Sequence, residues 1–496
     1  MKKLAALFLL LGLLAASATA TTLYRVRFGH YPDKIRTVFD FDGGFTYESD
    51  ESKDKIVLRL KKTEASPDIQ NYVELNDLVI RYLEIQREGS DLIVTIPLAE
   101  PVEYNIFYLN DPPRLVVDFG REYLNILSGG TISDGVEYLK VKKGLQDGRV
   151  NASVLRVDLS KVQVKPALAP KDQPNIIESF VNLINPWSQR SAPRHFNLNY
   201  VSNIVKASDG VAGINGTYFA YNGRPLGALM IDEELLSYSI YDRTAFFLDE
   251  NNRPYIDNIF ISGHFRIANG VRYEITGINQ NRDGKDVIMY TSAWGEKTGT
   301  AKNGFELVVS KGRVIQLGLG DSTIPADGYV LSASGPGIEV LAENVKVGEN
   351  IDTRIKVVPY STSPKRILQL VSGGPRLVKN GRIYVSKHEE RFKTDIAKGR
   401  AARTAVGLNK EAQLLLVTVD GPPLRGRRPD VKPTQDSIGM TLEELSELML
   451  NLGADDAMNL DGGSSTTMVI EEKVVNQPTT GHERKVSNAL VILPAP

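Results

Sequence analysis

The apolar and polar positions fall into two regimes along the chain. Between residues 22 and 120, short runs of β-branched and aromatic residues (Thr37–Phe41, Lys55–Leu60, Asp91–Ile96 and Arg114–Phe119) are separated by polar or Gly/Pro breaks, and none has helical spacing. Strands this short and close predict a small all-β sandwich over residues 21–122. Residues 123–146, with Ser128-Gly129-Gly130 and Gly144, read as a linker. From 147 to 496 strand patterns dominate and a few helices are inserted. The expected class there is α+β or mixed α/β, built on a mixed sheet.

The most informative pattern lies between residues 413 and 470. Gln413–Val419 is a continuous apolar run ending in Asp420-Gly421, as a strand buried on both faces would be. Leu442, Leu445, Leu448, Met449 and Leu452 recur at helical spacing. Thr441 and Glu444 have capping-box spacing, and Gly453 supplies a stop. Ala457–Asp461 then reads as a second strand before Gly462-Gly463-Ser464-Ser465. Strand, helix, strand predicts a crossover in which both strands point the same way. Asp420 and Asp461 then stand at the carboxyl ends of two strands, at an edge where open sheets bind ligands. The pattern leaves the distance between the two acids open. It also leaves open that each Asp-Gly is an ordinary tight turn.

Composition narrows the chemistry. The chain has 59 Lys+Arg against 60 Asp+Glu, a formal net charge of −1 and no cysteine. A global basic field for nucleic acid is excluded, as are thiolate metal sites, disulfides and cysteine nucleophiles. The five histidines are scattered and form no HExxH. Residues 1–20 join a Lys2-Lys3 start, an apolar stretch from Leu4 to Ala16 and Ala18-Thr19-Ala20, which is the pattern of a cleaved secretory signal. No later stretch has 18 consecutive apolar residues, so no membrane span is expected after cleavage. Export without cysteine points to a bacterial periplasm or cell wall. Pro422–Pro429 is a basic, proline-containing loop, read either as a solvated turn or as a cover that brings positive charge to an anionic substrate.

Two resemblances follow from these residues. Arg36–Phe41 and Pro113–Phe119 are similar to the ends of the AMIN family of envelope-targeting domains, which implies contact with peptidoglycan or another wall polymer. Asn459-Leu-Asp461-Gly462-Gly463-Ser464-Ser465-Thr466 resembles the signature of the phosphodiester glycosidase family. Gly213–Phe219, Asn222–Gly227, Arg243–Phe247, Ser372–Leu377, Arg400–Gly407 and Val419–Gly421 match further motifs in the same order. Thr217-Tyr218 departs from the glycine and phenylalanine often found there.

The resemblance implies hydrolysis of a sugar-1-phosphate diester on the sugar side. Such a reaction needs a carboxylate beside an oxocarbenium-like centre and cations or amides around the phosphate. It needs little acid catalysis, because the departing phosphate monoester has a second pKa of about 6. The expected catalytic set is Asp461, Asp420, Arg403 and Asn215. Arg243, Asn459, Gly462, Gly463, Ser464, Ser465, Thr404 and Gly374 are expected to bind substrate. The residues also admit plainer readings: Arg403 paired with a structural Asp, and Asn215-Gly216 as a hairpin turn. No cofactor is required, though a Ca²⁺ or Mg²⁺ ion between Asp420 and Asp461 fits their oxygen chemistry. The expected partner is a sugar-phosphate or wall glycan. The alternatives are a non-catalytic binder of glycan phosphate or peptidoglycan, and a phosphodiesterase attacking phosphorus.

Overall fold

The computed structural model describes residues 20–495 except 76, 172–195, 240, 285, 336–337, 398 and 425–436. Residues 1–19 of the expected signal and Arg425–Pro429 of the basic loop therefore lie outside the described residues. The chain divides into two compact units, Met1–Asn125 with Gly144–Gly148, and Ile126–Lys143 with Arg149–Pro496.

The first unit is built from two five-stranded sheets. One runs in the order Thr63–Ala65, Thr21–His30, Lys34–Phe41, Pro113–Gly120, Tyr104–Asn110. The other runs Thr46–Glu51, Lys55–Lys61, Asp91–Pro97, Tyr82–Glu88, Tyr72–Glu74. Alternate residues of both, among them Phe39, Phe41, Leu58, Val94, Leu115 and Phe119, share one apolar core. On the other side of the first sheet, Arg27 pairs with Asp40 and Arg36 with Asp118 at 2.6–2.7 Å. Arg36 also lies over the Phe107 ring at 5.5 Å.

The second unit contains the site. Its elements used below are β1 (Tyr123–Ser133), β2 (Val136–Leu145), β3 (Gly148–Val157), β4 (Val162–Leu168), α1 (Val201–Ala207), β5 (Ala212–Asn215), β6 (Thr244–Asp249), β7 (Ile367–Ser372), β8 (Arg376–Lys379), β9 (Arg382–Ile383), β10 (Arg403–Leu408), β11 (Leu414–Val419), α2 (Leu442–Asn451), β12 (Asp456–Asn459), β13 (Met468–Ile470), β14 (Lys473–Val474) and β15 (Asn488–Pro494). An eight-stranded sheet has the order β1-β2-β3-β11-β10-β12-β8-β9, and a five-stranded sheet the order β4-β15-β5-β13-β14. The two pack face to face through Leu414, Leu416, Val406, Met458 and Leu460 on one side and Ile214, Met468, Leu490 and Ile492 on the other.

This corrects the expected α+β or mixed α/β class. The unit is nearly all β, and its described helices are short, the longest being the ten residues of α2. The sheet is not mixed in its central part either, since every pairing from β3 to β9 is antiparallel. The misleading feature was β11. Its residues Leu414–Val419 are buried on both faces, as in a parallel α/β sheet. Here one face meets the second sheet, and β11 is flanked by antiparallel neighbours on both edges. α2 covers part of the opposite face of the sheet: a Cβ on Gly407 of β10 would stand 2.5 Å from Met449 Cε of this helix.

α2 itself forms as its sequence specifies. Thr441 Oγ1 accepts from the Glu444 amide at 3.2 Å, and Glu444 Oε2 accepts from the Thr441 amide at 2.9 Å. Gly453 follows the last turn with φ +96°. The strand–helix–strand crossover is also present, with β11 and β12 running the same way, but β10 lies between them and antiparallel to both.

Candidate active site

β12 delivers the central residues. It ends at Asn459, and the chain turns through Leu460, Asp461 and Gly462 into a short 3₁₀ segment, Gly463–Ser465. The Asp461 main chain is held on both sides: its amide donates to Gly216 O at 3.3 Å, and its carbonyl accepts from Asn215 Nδ2 at 2.6 Å. Asn215 Oδ1 accepts from Thr404 Oγ1 at 2.8 Å and from the Thr467 amide at 3.1 Å. Asn215 and Thr404 are both fully buried. They brace the turn from beneath and do not line it.

The Asp461 side chain is half-buried. Burial pushes its carboxyl up to about 6, while the Ser465 hydroxyl, Arg484 and the Gly462 amide pull it down. Arg484 is exposed, donates to Ser464 Oγ at 3.2 Å and Ser465 Oγ at 3.1 Å, and lies over the Phe219 ring at 5.0 Å. One turn thus holds a carboxylate, two hydroxyls and an accessible guanidinium.

A second layer is centred on Tyr218. Its hydroxyl donates to Gly374 O at 2.9 Å and accepts from Asn459 Nδ2 at 2.8 Å. Asn459 is 1% exposed, and its Oδ1 has no hydrogen-bond partner. Burial raises the Tyr218 phenol well above its usual value; Asp461 raises it further, and Arg403 and Arg243 oppose the rise. Asp461, Arg403 and Arg243 therefore all act on one tyrosine.

The two arginines differ in what remains free. Arg403 is 4% exposed and directs Nε, Nη1 and Nη2 at the carbonyls of Met440 (2.9 Å), Ile396 (3.2 Å) and Gly399 (3.0 Å). Its guanidinium ties the start of α2 to the approach to β10. Arg243 instead lies over the Phe392 ring at 4.0 Å, and its buried Nε has no partner. Burial lowers its pKa from the usual arginine range. Gly374 is set by Glu390, which accepts from the Thr244 amide (2.9 Å) and hydroxyl (2.6 Å), the Arg376 amide (2.9 Å) and the Ser386 hydroxyl. Gly374 has φ +97°, and a Cβ there would sit 2.3 Å from Glu390 Oε2, so only glycine fits.

Asp420 stands apart. Its Oδ1 accepts from the Gln477 amide at 2.8 Å and Asn476 Nδ2 at 3.5 Å, and burial pushes its carboxyl up to about 6. Gln477, Asn476 and Lys140 counter that rise for Asp420, whereas Ser465, Arg484 and Gly462 do so for Asp461; the two sets share no residue. The register explains the separation. Arg403 pairs with Val419, and Ala405 with Asn459, so Arg403, Val419, Ala405 and Asn459 share one face and Asp420, one residue on, takes the other. The two acids have separate hydrogen-bond partners, and among the described residues no group of three His, Asp or Glu side chains is placed to hold a metal. No step is therefore assigned to a cation between them.

Asp461, Gly462, Gly463, Ser464, Ser465, Asn459, Gly374 and Arg243 are thus brought to one region. Asn215, Thr404 and Arg403 support it from within the fold. The sequence reading missed Arg484, Glu390 and Phe392, and treated Tyr218 only as a departure from a motif. Arg484 sits after Gly481-His482-Glu483 in an irregular segment, and the side-chain partners that give it a role are distant in the chain or in a turn with no periodic signal.

Comparison with known proteins gives the following likenesses. The family model of phosphodiester glycosidases matches residues 301–493. The N-acetylglucosamine-1-phosphodiester α-N-acetylglucosaminidase of Bos taurus is 32% identical over 125 residues, covering 23% of this chain and 21% of the relative. The Mus musculus enzyme of the same name is 28% identical over 171 residues, covering 32% of this chain and 30% of the relative. The chain thus spans less than a third of the length of these curated relatives. Among solved structures, a hypothetical protein from Synechocystis superposes with TM-score 0.61 at 19% identity, covering 96% of this chain and 81% of the other. A protein of Burkholderia pseudomallei described as exported gives TM-score 0.55 at 18% identity, covering 91% and 97%. Those two likenesses concern the fold. The matched segment contains Asp461, Arg484, Arg403 and Gly374; Asn215, Tyr218 and Arg243 lie upstream of it, and the fold brings them to it.

Proposed function

With a phosphodiester glycosidase domain matched over residues 301–493, we propose that the protein is an exported hydrolase that cleaves the glycosidic bond of sugar-1-phosphate diesters in wall or exopolysaccharide material. The observation that carries this reading is the turn itself: the Asp461 carboxylate lies beside an exposed Arg484 seated on two serine hydroxyls. In the proposed reaction, Arg484 and the charge of the half-buried Arg243 guanidinium neutralise the phosphate, and Asp461 faces the anomeric carbon. Asp461 acts there as nucleophile or as base for water while charge develops on the sugar ring. The phosphate leaves without a strong acid. Tyr218 presents its hydroxyl to the sugar hydroxyls, and the buried Asn459 holds that hydroxyl in place. Asp420 has no part in this chemistry. The N-terminal unit is assigned to wall-polymer contact, an assignment that rests on its resemblance to envelope-targeting domains.

The test is turnover of N-acetylglucosamine-1-phosphodiesters by the mature chain in ¹⁸O-water. Label in the sugar is expected; label in the phosphate identifies attack at phosphorus instead. Asp461→Asn is expected to lower kcat by at least about a hundredfold with the fold intact. Because Asp461 works ionised and its carboxyl is pushed up to about 6, turnover is expected to rise with pH through about 6. Undiminished turnover in the folded Asn variant would remove Asp461 from the mechanism.

A further inference from the structure

The contacts of Arg243 continue outward, beyond the residues gathered at Asp461. The Phe392 ring lies 5.9 Å from the Tyr218 ring, and Arg243 lies over Phe392 at 4.0 Å. Arg243 also lies over the Tyr241 ring at 5.6 Å, and Arg391 lies over that same ring at 5.2 Å. Aromatic rings and guanidiniums therefore alternate from Tyr218 to Arg391, which is exposed. We infer that Arg243 and Arg391 form a paired anion site on the leaving-group side, in which Arg391 takes a second phosphate one short linker beyond the phosphate at the cleaved bond. The substrate class is then a chain of phosphodiesters, with anionic groups at short intervals. That placement rests on the hydrolase reading, but binding of a paired anion does not.

Two like charges on one ring call for a counter-charge. The face of Tyr241 attracts each guanidinium but neutralises neither. Among the described residues no carboxylate pairs with Arg243 or Arg391, and no acceptor takes a hydrogen bond from either guanidinium; the Nε of Arg243 is buried without a partner. Other arginines of the unit are held differently: Arg366 meets Glu233, Arg376 meets Asp456 and Arg400 meets Glu444. The acids nearest in the chain are otherwise engaged or apart. Glu390 attracts Arg243 through space, but its oxygens accept from Thr244, Arg376 and Ser386. Asp242 accepts from the Tyr360 hydroxyl at 2.6 Å, and Glu389 is exposed.

A phosphate suits what these groups offer. A guanidinium presents forked donors to phosphate oxygens, and an anion shared by both arginines offsets their mutual repulsion. A leaving group with one phosphate would occupy Arg243 and leave Arg391 facing solvent. The outer cation is also anchored by the main chain: the Arg391 amide donates to His388 O at 3.1 Å, and the Phe392 amide to Lys387 O at 2.9 Å. Arg391 has φ +56°, a conformation that asparagine also adopts readily, so its charge can be removed with the turn kept.

The experiment is calorimetric titration of the full mature chain with propane-1,3-diol bisphosphate and with propyl phosphate at low ionic strength. The bisphosphate is expected to bind at least about tenfold more tightly, well above the roughly twofold advantage of simply having two phosphates. Arg391→Asn is expected to reduce the advantage to about twofold with an unchanged circular dichroism spectrum, Arg391→Lys to retain part of it, and added salt to shrink it. An advantage of only about twofold in the parent chain, or one that survives Arg391→Asn, would overturn the paired site. A chain that prefers the bisphosphate and hydrolyses no sugar phosphodiester keeps the site and rejects the hydrolase. A chain that hydrolyses small diesters without this preference keeps the hydrolase and rejects the site.

Discussion

Arg403 aims its guanidinium at three main-chain carbonyls, whereas the exposed Arg484 rests on two serine hydroxyls, the half-buried Ser464 and the buried Ser465. The same residue type therefore gives two different phenotypes. Arg403→Gln leaves buried carbonyls without donors and is expected to cost about 2–4 kcal/mol of stability, read as a lower urea midpoint. Arg484→Gln removes a donor from the buried Ser465 hydroxyl but leaves no main-chain carbonyl unpaired, so its midpoint is expected to fall by no more than about 1 kcal/mol, and KM for a phosphodiester rises. If the two variants exchanged phenotypes, the assignment of the phosphate-facing cation would be wrong. Asp420 gives a pH-dependent counterpart. Its folded carboxyl is pushed up to about 6 by burial, above its unfolded value. Between the two values the folded state holds the proton more tightly, so stability falls as pH rises toward 6, and above 6 the cost of burying the ionised group is fully present. Asp420→Asn removes that ionisation and keeps an oxygen for the Gln477 amide. The variant is expected to gain on the order of 1–3 kcal/mol over the parent at pH 8 and little at pH 3, measured by denaturation at the two pH values. An equal difference at both would show that ionisation of Asp420 carries no penalty.

At the scale of elements, the glycine at 374 is the tightest constraint in the site. Its carbonyl receives the Tyr218 hydroxyl, its amide donates to Asn459 O at 2.7 Å, and its missing side chain leaves room for Glu390. Gly374→Ala must displace Glu390 from four donors or move the turn. It is expected to cost about 2–4 kcal/mol and to lower kcat more than tenfold, because Tyr218 and Asn459 lose their common acceptor. Unchanged kinetics in a folded Ala variant would separate that turn from the chemistry.

What the sequence disclosed follows the same scale. The helix at 442–451 was legible because its cap, its apolar stripe and its terminating glycine are local. The common direction of β11 and β12 was legible too, since a helix joins them. The nearly all-β character was not, because burial of β11 on both faces looks alike whether helices or a second sheet provide the cover. The separation of Asp420 from Asp461 was also hidden. It depends on β10 lying between the two strands and on a parity of one residue in its register, and neither is written in the spacing of the acids.

For the whole molecule, the question is what the N-terminal unit contributes to the hydrolase proposed for the other unit. No described helix is long and apolar enough to cross a membrane, and the wall contact proposed for the first unit is sought on its surface. The outward side of the first sheet offers Arg27–Asp40 and Arg36–Asp118 pairs and a half-buried Phe107 ring under Arg36, with Val38 and Val116 buried beneath them. Paired charges around an aromatic ring can meet a glycan's hydroxyls and one of its C–H surfaces together. Such a hold adds nothing to cleavage of a small diester. On a polymer it raises the local substrate concentration, and tethering of that kind contributes about 10²–10⁴ in apparent affinity. The measurable quantity is a ratio, kcat/KM on a phosphodiester-linked wall polymer divided by kcat/KM on a small aryl sugar phosphate. Replacing Arg36 and Phe107 together with Ala is expected to lower that ratio by at least tenfold, and the drop should shrink with added salt if the charged pairs contribute. A ratio that does not move would leave the first unit without a role in substrate capture.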